Sequence, residues 1–140
     1  PVISTGIYAS ADALGGLLTF AHSDLQRFQS GKIWSLRVTD RALQNAAMDL
    51  VLFSELFVPT ADNAAFTPTD LALDDLVGVI PIANANYWGF ADNAVAIVYP
   101  TELPFIVGRG GKLFGQLVVR ATPTYVATTD IRIRLTLKLD

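Results

Sequence analysis

Residues 131–140 read IRIRLTLKLD, and the alternation is almost without error. Ile131, Ile133, Leu135, Leu137 and Leu139 fall on one side; Arg132, Arg134, Thr136, Lys138 and Asp140 fall on the other. A period of two over this length marks a β-strand with one buried and one wet face. The segment is predicted to be an internal or paired strand whose apolar face lies in the core.

Most of the remaining sequence follows the same logic. Leu14 to Phe20 is a candidate strand after the flexible Gly15–Gly16 pair. GKIWSLRVTD places Trp34, Leu36 and Val38 on one face, with Ser35, Arg37 and Thr39 opposite. DLVLFSELF is at first apolar on both faces, which suits a central strand covered on two sides. NAVAIVYP and KLFGQLVVRA are further β segments, and turn-prone TPTYVATTD precedes the last strand. Short strands separated by Gly, Pro, Asn and Asp clusters predict an all-β fold, an antiparallel β-sandwich or jelly-roll-like barrel. ADNAA at Ala61 and ADNAV at Ala91 read as two similar turns, because Asp and Asn side chains bond their own backbone and tolerate left-handed conformations.

TPTDLALDDLVG departs from the β pattern and predicts one short helix. Thr67 is the expected N-cap, with Pro68 at the first helical position and Asp70 three residues after the cap. Leu73, Leu76 and Val77 would share a helical face, and Gly78 would end the helix. Asp74 and Asp75 oppose the helix dipole and keep it short. Such a helix is expected to plug an open end or edge of the sandwich. RALQNAAM fits either a helical turn or a loop.

At 140 residues the chain is predicted to form one domain, residues 1–140. A globule of this size buries roughly 70% of the surface exposed by its unfolded chain. Hydrophobic residues make up 51% and charged residues only 16%, and the mean hydropathy is +0.41. That apolar surplus points to subunit interfaces, hence to a homo-oligomer. Net charge is −3, and the basic residues are scattered along the sequence, which argues against nucleic acid as a partner. With no cysteine, disulfides, thiol catalysis and thiolate metal sites are excluded. No apolar run is long enough to span a bilayer. The start, PVISTGIYAS, shows no signal-peptide pattern, and Pro1 fits removal of an initiator methionine, so cytoplasmic synthesis is expected.

No catalytic constellation emerges, and the protein is expected not to be an enzyme. His22, the single histidine, lies beside Ser23 and Asp24. Neighbouring residues diverge, whereas a hydrolase triad converges from separate elements, so a turn after the strand is the expected role. GRGGK at Gly108 lacks phosphate-loop spacing: Ile106 stands where the first glycine belongs and Leu113 replaces the magnesium-binding Ser or Thr. A glycine-rich hairpin turn accounts for it. Asp62, Asp70, Asp74 and Asp75 lack a calcium-loop pattern, and turn or capping roles account for most of them. Paired carboxylates for glycoside cleavage would come from distant positions, and the only glutamates, Glu55 and Glu102, sit in strongly apolar contexts. No metal or cofactor is expected.

NANYWGF, residues 84–90, gathers Tyr87, Trp88 and Phe90 around Gly89 in an expected loop. Three roles fit these residues. Trp88 or Phe90 could cap the core, the aromatics could anchor a protein interface, or with their amide neighbours they could form a sugar platform. Tyr87, Trp88 and Phe90 are the candidate interface residues.

An ordered series of segments carries a resemblance: YASADALGGLLTF, DLVLF at Asp49, DNAAFTPTDLALDDLVGVI, LPF at Leu103 and LFGQLVVRATPTYVATTDIRIRL. Together, from about Tyr8 to Leu135, they resemble small virion structural proteins of tailed bacteriophages, of the capsid decoration or cement kind. The similarity is one of segments and their order. Where that group's pattern has glycine before the first aspartate, this chain has Ala11 before Asp12. The resemblance implies a β-sandwich that binds the major capsid protein on the outside of an icosahedral shell and stabilises it, often as a trimer at local three-fold positions. It places the protein on the virion surface after synthesis in the host cytoplasm. The alternative reading is a β-sandwich carbohydrate-binding module, perhaps part of a phage fibre.

Overall fold

The computed structural model describes residues 1–108 and 110–140, with Phe28 described by its backbone alone. Among the described residues, eleven strands and two short α-helices follow one another along the chain. The first elements are β1 (Gly6–Ile7), β2 (Ala13–Ala21), α1 (Ser23–Phe28), β3 (Ser30–Asp40) and β4 (Met48–Phe53). After a long loop come α2 (Asp70–Asp74), β5 (Leu76–Ile82), β6 (Tyr87–Gly89) and β7 (Ala94–Val98). The series ends with β8 (Leu103–Ile106), β9 (Lys112–Val119), β10 (Thr124–Tyr125) and β11 (Ile131–Leu139).

Two antiparallel sheets form the sandwich. One has the order β11-β3-β7-β6, with β8 also paired to β3; the other has the order β2-β9-β4-β5. A small ribbon joins β1 to β10. The core lies between the sheets: Ile33, Leu36, Val38 and Ala96 face Leu14, Leu50, Leu52, Leu113, Leu117 and Val119. The all-β sandwich predicted from alternation is the observed architecture.

The two-sided apolar character of β4 and β9 has a direct cause. Met48, Leu50 and Leu52 enter the main core, while Val51 and Phe53 point outward into a second cluster with Phe57, Ala72 and Val118. The loop after β4 and helix α2 cover that outward face. Gln116, fully buried there, fastens the cover. Its amide donates to the carbonyls of Gly15 (2.8 Å) and Thr60 (2.6 Å), and its oxygen accepts from the Thr60 N–H (3.0 Å). A buried amide costs little when every polar atom has a partner.

Asp62 supplies a second fastening. Its carboxylate accepts from the backbone N–H of Ser4 (2.6 Å) and Gly15 (2.6 Å), from the Tyr8 hydroxyl (2.8 Å), and from the Ser4 hydroxyl. Burial pulls this carboxyl upward, but the donated hydrogen bonds outweigh it and hold it below the ordinary carboxylate range. The reverse holds for Tyr8, which burial and Asp62 push far above a normal phenol. As expected for a turn, Asn63 beside it is left-handed, with φ of 59°.

Several sequence expectations are corrected. The helix N-cap is Thr69, which accepts from the Ala72 N–H, and the helix ends at Asp74. Leu76, Val77 and Gly78 belong instead to β5, where Gly78 and Leu76 pair with Leu52 and Phe53. Ladder bonds and burial beside β4 outcompete another helical turn. The helix rests on the sheet's outward face through Ala72 and plugs no open end. Helix α1 takes the place of the turn expected after β2; His22 forms its N-cap, with Nδ1 accepting from the Asp24 N–H at 3.2 Å.

Trp34 also leaves its expected face. Across the β11–β3 ladder Thr136 meets Ser35 and Leu137 meets Ile33, so Trp34 is an unpaired bulge residue. The bulge turns Ile33 into the core. It leaves Trp34 half-buried, with Thr101 donating to its carbonyl at 3.1 Å. The GRGGK stretch is no hairpin turn, because β8 pairs with β3 in one sheet and β9 with β2 and β4 in the other. β8 ends at Ile106 in one sheet and β9 begins at Lys112 in the other; Arg109, part of that motif, lies outside the described residues.

Candidate functional site

Among the described residues, none covers the outward face of the β11-β3-β7-β6 sheet, where Trp88, Ile97, Arg37, Arg132 and Arg134 are exposed. Its register builds rows that alternate with the core-facing ones. Arg132, Thr39, Val95 and Trp88 form one row across four strands. Arg134, Arg37 and Ile97 form the next. Beyond the bulge, Lys138 meets Lys32. Trp34 and Tyr99 pack edge to face at 5.2 Å between centroids, with the Lys138 ammonium 5.9 Å from the Trp34 ring.

This face concentrates charge that the sequence disperses. Six of the ten Lys and Arg residues, namely Lys32, Arg37, Arg41, Arg132, Arg134 and Lys138, lie on it or at its margin. Lys32 reaches Glu102 at 3.7 Å. Among the described residues, Arg37, Arg41, Arg132 and Arg134 pair with no carboxylate, and they line an open depression of about 450 Å³. Much of the acidic charge lies elsewhere: Glu55, Asp62, Asp70, Asp74 and Asp75 all belong to the segment crossing the opposite sheet. The absence of a basic cluster along the sequence therefore does not carry over to the fold.

The aromatic trio divides. Residues 87–89 form strand β6 instead of the expected loop, and strand alternation sends Tyr87 and Trp88 to opposite faces. Tyr87 lies opposite buried Ala96, packs on the core, and donates its hydroxyl to the Ala46 carbonyl at 3.0 Å. Burial, then the nearby Asp40 charge, push that phenol far above its ordinary value. Trp88 stands outward, 77% exposed, and Phe90 at the following turn is 60% exposed. Ile97 on β7 and Tyr99 just after it are also exposed. The face thus combines unburied aromatic groups with arginines, the residue types enriched where protein interfaces are strongest, and adds the exposed aliphatic Ile97.

The neighbouring asparagines serve the backbone. Asn84 donates to the Asn45 carbonyl at 2.8 Å, and Asn86 accepts from the Ala83 N–H at 2.7 Å. His22 and Asp24 approach to 3.4 Å on an exposed helix end. Asp70 lies in the first turn of α2, and Asp62 is an acceptor within its network. Among the described residues no three His, Asp or Glu side chains gather at metal-binding range, and no helix is long and apolar enough to cross a membrane. What this face offers chemically is a broad, shallow, cationic and aromatic surface for binding. No family model, curated protein or solved structure matches the chain.

Proposed function

We propose that the protein is a non-enzymatic cement subunit on a bacteriophage virion, binding the major capsid protein and stabilising the shell. The observation that carries this reading is the uncovered sheet face, where Trp88, Ile97 and Tyr99 stand beside Arg37, Arg132 and Arg134. Such a face suits a wide protein seam better than an enclosed small-molecule cleft. The sequence resemblance supports the same role. Its mechanism is additive: each copy bridges neighbouring capsid subunits, and many modest contacts repeated over a lattice raise the work needed to rupture it.

Self-association is part of the proposal, with a trimer as the favoured unit. A second set of exposed apolar residues, Leu56, Val58, Leu71 and Val79, lies on the loop, helix and strand of the other sheet and is available for contacts between copies. The test is co-sedimentation of purified protein with capsids. Saturation at a fixed number of copies per capsid subunit, lost on Trp88→Ala, is the expected result. Binding to immobilised glycans without capsid binding would instead favour the carbohydrate-binding alternative.

A further inference from the structure

β11 pairs with β3 along one side, and among the described residues no strand pairs with the other. This edge is nine residues long and the register shift of its ladder lies on β3, at Trp34. Natural edges of this length are usually shortened, bulged or covered, because unpaired N–H and C=O groups template further pairing.

The two flanks of the edge differ in chemistry. On the core side, Ile133, Leu135, Leu137 and Leu139 remain only half-buried. With Phe20 of β2 and Leu25 of α1 they line the apolar part of an open groove of about 760 Å³, whose polar lining includes Thr19, His22, Asp24, Arg37 and Arg134. On the outward side stand Arg132, Arg134 and Lys138, all exposed. An extended chain laid beside β11 would meet free backbone groups, an apolar trough for every second side chain, and cations beside the others.

Those flanks select the occupant. A second copy pairing through the same edge would set cationic rows against each other, and like charges across a ladder are destabilising. We propose that β11 accepts an extended segment of a partner protein whose residues alternate apolar and acidic, added as a further strand. The apolar residues fill the groove, and the carboxylates meet Arg132, Arg134 and Lys138. This stands apart from the cement reading, and capsids do not enter its test.

The test uses a synthetic ten-residue peptide alternating valine and glutamate, a lysine-for-glutamate counterpart, and an acidic peptide N-methylated at every second residue. Amide hydrogen exchange of residues 131–139 is followed during titration of the full chain up to millimolar peptide. The acidic peptide should protect β11 amides, and higher salt should weaken it. The lysine peptide should bind at least about tenfold more weakly, and N-methylation should abolish protection. Arg134→Glu should weaken the acidic peptide about tenfold without lowering the melting temperature. Equal binding of the acidic and lysine peptides would overturn the proposal. So would binding without β11 protection, or no binding by the acidic peptide. Concentration-dependent β11 protection without peptide would show that the edge pairs copies of this chain, and would overturn it equally.

Discussion

Arg134 of β11 stands directly across from Arg37 of β3 in the antiparallel ladder, and both side chains are exposed on the outward face. Like charges in that position work against the pairing that holds the edge strand in place. Nothing within the chain offsets them, since neither arginine pairs with a carboxylate among the described residues. Arg134→Glu should therefore raise the stability of the isolated protein by about 0.2–1 kcal/mol. Chemical denaturation at low salt measures it, and the gain should shrink as salt is added. A loss of stability would mean that these guanidinium groups are held by favourable packing.

Trp88 and Tyr87 are neighbours in sequence with opposite surroundings, so their substitutions should separate binding from folding. Trp88→Ala should weaken assembly or shell binding by roughly 2–4 kcal/mol while leaving the melting temperature nearly unchanged. Tyr87→Ala should cost roughly 3–5 kcal/mol of folding stability, because it empties core volume and removes the bond to the Ala46 carbonyl. Melting and co-sedimentation on both variants check this pair. A Trp88→Ala protein that melts far lower yet binds normally would remove Trp88 from any interface.

Asp62 ties the loop over the second sheet to Ser4, Tyr8 and Gly15. Its carboxyl is depressed in the folded protein relative to the ordinary 3.8. A depressed folded value means that its stabilisation is complete above that ordinary value and is lost as pH falls from there through the folded value. Asp62→Asn should destabilise the protein by about 1.5–3 kcal/mol at neutral pH, the range for hydrogen bonds to a charged group. The difference from the parent should vanish in strong acid. Denaturation series at neutral pH and below pH 3.8 give the comparison.

Ala11 occupies the left-handed region, with φ of 78°, in the turn before Asp12. A Cβ there costs about 1–2 kcal/mol, partly offset by the lower chain entropy of alanine in the unfolded state. Ala11→Gly should accordingly stabilise the protein by roughly 0.5–1 kcal/mol. A raised melting temperature is the expected outcome, and an unchanged one would place the turn's strain elsewhere.

Local pattern determined the elements whose face is set by alternation alone. The run from Ile131 to Leu139 forms a strand because no other secondary structure puts its five apolar residues on one side. DLVLF, apolar on both faces, became a strand covered on both faces, because only double coverage removes Val51 and Phe53 as well as Leu50 and Leu52 from water. The turn at Asn63 uses the tolerance of asparagine for the left-handed region. Where local preference and long-range pairing competed, pairing decided. Thr67 had the better capping-box spacing, yet the helix starts after Thr69 and stops before Leu76, whose strand gains ladder bonds and burial beside β4. The bulge at Trp34 exists only because β11 lies beside β3, and it reverses the face of every residue before it in that strand. The candidate site was half legible: the aromatic cluster was visible, but the inward turn of Tyr87 depended on β6 pairing with β7. The arginine face was not legible at all. Arg37 and Arg41 lie about a hundred residues from Arg132 and Arg134, and only the β3–β11 ladder brings their charges together.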